Sequence, residues 1–86
     1  MTDRLRPLWD FDDLDASERR LRAQLEQETS DPGRAEVLTQ LARVEGLRGN
    51  FAQCAQVLDK AEPLAASNAV ANVRLELERG RMFRSR

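Results

Sequence analysis

The groups that most often carry catalysis are missing from this 86-residue chain, which has no histidine, no tyrosine and a single cysteine, Cys54. A serine or cysteine nucleophile needs a neighbouring base, most often an imidazole, and protein zinc sites draw on sets of cysteine and histidine. Cys54 sits at a small-residue packing position, so an inert buried thiol is expected. The run Asp10, Asp12, Asp13, Asp15 has the alternate carboxylates of a calcium loop. However, Leu14 occupies a ligand place, no glycine follows, and no glutamate closes the loop. Helix capping, with negative charge at a helix N-terminus, accounts for the run better. No enzyme, cofactor or metal site is therefore expected.

Arginine is the remaining chemistry. The chain carries 14 basic residues against 15 acidic ones, and Lys60 is the only lysine. A net charge of −1 gives no global pull toward nucleic acid or an anionic membrane. The charge is nonetheless polarised: residues 1–33 hold nine acids and five bases, residues 34–66 four of each, and residues 67–86 two acids and five arginines. Guanidinium groups pair bidentately with carboxylate or phosphate, so a local arginine surface can recognise an acidic partner.

The elements that must position these groups are helices. Leucine and alanine dominate the apolar residues, isoleucine is absent, and no strand-like alternation occurs. Turn signals at Asp31 to Gly33, at Gly49-Asn50 and around Pro63 divide the chain into four helical segments. The first is expected over about 16–28, capped by Asp15 with Glu18 as its capping-box partner. The second covers about 34–48, with Val37, Leu38, Leu41, Val44 and Leu47 at spacings of three and four. The third covers 51–62, with Phe51, Cys54, Ala55, Leu58 and Ala61 on one face and Pro63 as its stop. The fourth covers about 68–84, starting near Ser67 or Asn68, with Val70, Val73, Leu77, Gly80 and Phe83 as its apolar stripe. Short connections make antiparallel neighbours the default, so the class is all-α. Residues 1–14 form a strap that Trp9 and Phe11 pin onto a helical domain of residues 15–86. Without a disulfide pair, a signal peptide or an apolar run of membrane-spanning length, a cytoplasmic, soluble protein is expected.

The segments repeat. Leu14, Ser17 and Leu21 match Phe51, Cys54 and Leu58 at an offset of 37, and the small residues Ala42 and Gly80 lie 38 apart. From Ala35 to Pro63 this large–small pattern resembles a tetratricopeptide repeat: Leu38, Leu41 and Ala42 fit its first helix, Gly49-Asn50-Phe51 its turn, and Cys54, Leu58 and Ala61 its second helix. Glu45 departs from the family's usual aromatic residue, and Pro63 comes about three residues early. The resemblance implies helix pairs stacked as a short right-handed solenoid of about four helices, with residues 16–28 as an unpaired capping helix. It also implies an open C-terminal end at Met82 and Phe83, through which the chain would continue as a longer array or oligomerise.

What the resemblance implies for function is a scaffold binding a partner protein or peptide in a groove. Carried over by position, the groove side comprises Glu36, Thr39, Gln40, Arg43 and Leu47, together with Arg74, Leu77, Glu78, Arg81 and Arg84. The partner-binding set is then Arg43, Leu47, Arg74, Leu77, Arg81 and Arg84, with four arginines facing one groove and an acidic partner expected. The alternative is a DNA-binding regulator: Leu41-Ala42-Arg43 followed by Gly46 resembles a helix-turn-helix unit with its turn after Gly46. That unit would present Asn50, Gln53 and Gln56, with no basic residue between Arg48 and Lys60 to anchor phosphates.

Overall fold

The computed structural model describes residues 4–66 and 68–85, with the Ser85 side chain left aside. Four helices follow a short 3-10 turn at Arg6–Leu8: α1 (Leu14–Gln27), α2 (Asp31–Leu47), α3 (Phe51–Ala65) and α4 (Ala69–Ser85). No strand occurs among the described residues, and the chain is all-α as expected.

Helix starts are set by side-chain caps. At α1 the cap is Asp13, whose carboxylate accepts the Ala16 N–H at 3.0 Å, and not Asp15. The cause lies upstream: Asp10 N–H donates to Ser17 Oγ at 2.7 Å, and the Ser17 hydroxyl donates back to the Asp10 carbonyl at 2.9 Å. This clasp brings residues 10–13 over the first turn, and Leu14 packs into the apolar core. Asp15 and Glu18 both bind Arg48 instead of forming a capping box.

α2 starts at Asp31, three residues before the expected boundary, because Asp31-Pro32-Gly33 forms the first helical turn and not a loop. Ser30 caps it, accepting the Gly33 N–H at 3.1 Å, and proline costs nothing where its missing N–H would have had no partner. The Glu28 carboxylate lies so close above that turn that a Cβ on Gly33 would clash with its Oε1.

α2 runs unbroken through Gly46, so the turn that a helix-turn-helix unit requires after Gly46 is not formed there. The helix closes instead at Gly49-Asn50 in a Schellman motif. Asn50 N–H donates to the Glu45 carbonyl at 2.9 Å, and Gly49 N–H donates to that of Gly46 at 3.1 Å. Gly49 adopts φ +83°, a backbone region costly for any residue with a Cβ.

Pro63 does not stop α3, which continues to Ala65. Proline removes one backbone bond, but Pro63 itself is exposed, while Leu64 packs on the core and Ala65 is fully buried. Tertiary packing of those two residues carries the helix past its weak point. At α4, Asn68 Oδ1 accepts the Ala71 N–H at 2.9 Å; Ser67, the other candidate, lies outside the described residues.

α2 is the hub, packing against α1, α3 and α4, while α3 and α4 pack on each other. It separates two apolar clusters. One holds Leu5, Leu21, Val37, Leu41 and Val44 beneath α1 and the strap. The other holds Ala35, Ala42, Cys54, Leu58, Ala61, Ala65, Ala71, Leu75 and Met82 between α2, α3 and α4. The alanines allow close helix approach there.

The largest correction concerns α4. Its buried face is Ala71, Leu75, Glu78 and Met82, whereas Val70, Val73, Leu77 and Phe83 of the apolar stripe that periodicity picks out are 51–64% exposed. Helix 4 carries two apolar stripes, and the one with the small Ala71 fits against the alanine-rich surface of α3. Met82, expected to lie open at the end of the array, is buried, and only Phe83 of that pair faces outward.

Candidate functional site

The strap decides which part of the expected groove remains open. Trp9 Nε1–H donates to Gln40 Oε1 at 3.1 Å, and Arg4 pairs with Glu28 at 2.9 Å and Glu36 at 3.6 Å. Trp9 and Phe11 stack with their ring planes 8° apart and their centres at 5.0 Å. The Arg43 guanidinium carbon lies 5.3 Å from the first ring centre and 5.4 Å from the second, within cation–π range. Gln40 and Thr39 are buried, so neither belongs to an accessible groove. Thr39 spends its hydroxyl on the Glu36 carbonyl, to which it donates at 2.6 Å.

Beyond Arg43 the surface opens into a cavity of about 210 Å³ between the end of α2, the start of α3 and the end of α4. Arg43, Gly46 and Leu47 come from α2, Phe51 and Cys54 from α3, and Glu78, Arg81 and Met82 from α4. Each is placed by helical spacing: Arg43 and Leu47 stand one turn apart, as do Glu78 and Met82. Leu47 is half exposed and forms an apolar lip, and Arg81 reaches Glu78 through Nε at 3.5 Å.

Glu78 is the residue whose environment sequence reading missed, although its spacing of three from Leu75 and four from Met82 marks the buried face. It is 4% exposed. Burial holds its carboxyl above the ordinary glutamate value, opposed by the charges of Arg81, Arg43 and Arg74. Burial also lowers Arg43, helped by the Arg81 charge and opposed by Glu78. The Cys54 thiol is pushed up by burial, with Glu78 and Glu45 adding to the effect, so it stays protonated and unreactive near neutrality. The cavity lining carries two guanidinium groups and one carboxyl group, so positive charge is in excess there. An anion with an apolar neighbour matches that balance.

The expected binding residues therefore divide. Arg43, Leu47 and Arg81 meet in the cavity. Arg74 is directed to Glu36 at 3.4 Å, where it ties α4 to α2. Leu77 and Arg84 lie on the outer face of α4, in a shallow groove with Asn72, Val73, Glu76 and Gly80. Four arginines do not share one groove. Two further arginines serve as ties: Arg48 binds Asp15, Glu18 and Glu45, and Arg79 binds Glu62 at 2.9 Å and Asp59 at 3.5 Å. No group of three metal-ligating side chains occurs among the described residues, and no described helix is long and apolar enough to cross a membrane. Comparisons with family models, with curated proteins and with solved structures return no match.

Proposed function

We propose that this chain is a non-catalytic protein-interaction module, working in the cytoplasm, that takes an acidic segment of a partner in the cavity formed by Arg43, Leu47 and Arg81. The observation that carries this reading is the convergence of those three residues, from α2 and α4, on a cavity walled by Phe51 and Met82. Arg43 has no carboxylate within ion-pair range among the described residues, so its donors remain available to a ligand. Its stacking on Trp9 and Phe11 limits the rotamer entropy lost on binding.

A tetratricopeptide-like helix stack suits the same reading. α2 and α3, which pack around small Ala42 and Cys54, would be the repeat pair, with α1 on α2 as its cap and α4 on both as the first helix of the next pair. The strap then occupies the early part of the α2 face and leaves its later part for the partner.

The test is binding of fluorescent acidic, neutral and basic peptides, each carrying a leucine or phenylalanine, at two salt concentrations. The acidic peptides should bind most tightly, with affinity falling as salt rises. Arg81→Glu should weaken them by about tenfold or more, since like charge at a contact costs several kcal/mol. Equal affinity for all three classes, or no change in the Arg81→Glu protein, would overturn the assignment.

A further inference from the structure

The outer face of α4 is a second surface, which adjoins the cavity at Arg81. Val70, Val73, Leu77, Gly80 and Arg84 follow one another at spacings of three, four, three and four, the seam of a two-helix coiled coil. This is a true surface stripe: Val70, Val73 and Leu77 are 54%, 59% and 51% exposed, with the core served by the opposite face. A Cβ on Gly80 would meet only the flexible end of Arg84, at 3.5 Å, so the helix backbone is open to close approach.

The flanks of the seam carry opposite charges on its two sides. Glu76 lies just before Leu77 on one side, with a side chain 73% exposed, and Arg81 lies just after Gly80 on the other, 44% exposed. When two such helices run parallel, the flank preceding one seam residue faces the opposite flank of the neighbour one turn further on. Glu76 of each copy then lies beside Arg81 of the other, giving two attractive pairs related by a two-fold axis. An antiparallel pair would set like flanks together, glutamate by glutamate and arginine by arginine. We infer that the outer face of α4 joins two copies of this chain as a parallel helix pair, with Val70, Val73 and Leu77 at its centre and reciprocal Glu76–Arg81 contacts at its edges.

The seam spans two heptads and includes a glycine, so the association is expected to be weak and concentration-dependent. Sedimentation equilibrium from micromolar to millimolar chain should show a reversible monomer–dimer equilibrium. Glu76→Lys alone sets lysine against arginine in both contacts, and Arg81→Glu alone sets glutamate against glutamate. Each should weaken the dimer by about tenfold or more. An equimolar mixture of the two variants restores both attractive contacts and should recover the parent affinity as a heterodimer. Both sites are exposed, and circular dichroism of each variant checks that the fold is kept. A parent chain that stays monomeric over the whole range overturns the proposal, as does a mixture that associates no better than the separate variants. Recovery specific to the mixture supports the parallel arrangement.

Discussion

Glu78 is the residue at which burial and charge conflict most plainly. Its carboxyl is held above the ordinary value of 4.5 because desolvation outweighs Arg81, Arg43 and Arg74. A raised acid binds its proton more tightly in the folded state than in the unfolded one. Its ionised form therefore costs stability at neutral pH, and the cost vanishes as pH falls below the unfolded value. Glu78→Gln should melt higher than the parent at about pH 7, and the two melting temperatures should converge toward about pH 4. A lower melting temperature at neutral pH would mean that the surrounding arginines outweigh the desolvation. Glu18 acts in the opposite sense: Arg48 and Arg22 hold its carboxyl below 4.5, so its contribution is present at neutral pH and fades in acid. At this scale the sequence showed which groups existed, but not their environment. Glu78 and Glu76 are two residues apart, yet one is buried and the other exposed, and only the seating of α4 separates them.

At the scale of elements, local chemistry placed the helices well and their ends less well. The Gly49-Asn50 stop was legible because a Schellman motif depends on one glycine and a few neighbouring backbone groups. The Asp13 cap was not, because it depends on the Asp10–Ser17 clasp, a contact across seven residues. The continuation of α3 past Pro63 depends on packing against α4. Replacing Pro63 with alanine restores the backbone donor at an exposed position, and up to about 3 kcal/mol of added stability is expected in urea unfolding, less near the helix end. Destabilisation would show that the proline ring makes a contact the helix needs. In helix 4 the stripe that periodicity picks out is the exposed one, because the outer stripe, with two valines, a leucine and a phenylalanine, is more apolar than the inner one. Periodicity finds a helix with an apolar face, and where two faces compete it cannot say which is buried.

Across the whole molecule, the strap joins the parts. Trp9 links the N-terminal segment to Gln40 at the middle of α2, and its ring stacks with Phe11 beside Arg43 at the rim of the cavity. Trp9→Ala should cost about 2 kcal/mol, less than for a fully buried tryptophan, and should speed amide exchange in residues 4–13 ahead of global unfolding. Unchanged exchange in that segment would show that Leu5 and Leu8 hold the strap without the indole. The sequence alone determined the all-α class, four helices, the main turn, a buried cysteine and the polarised charge. Each of these follows from composition or from contacts within a few residues along the chain. Tertiary structure decided which stripe of α4 is buried, which half of the α2 face the strap covers, and which three of six candidate residues meet. Those outcomes depend on how closely helices can approach. Small Ala42, Ala61 and Ala71 seat α4 with Glu78 inward and its larger apolar stripe outward, a choice made by packing between distant segments and carried by no local pattern.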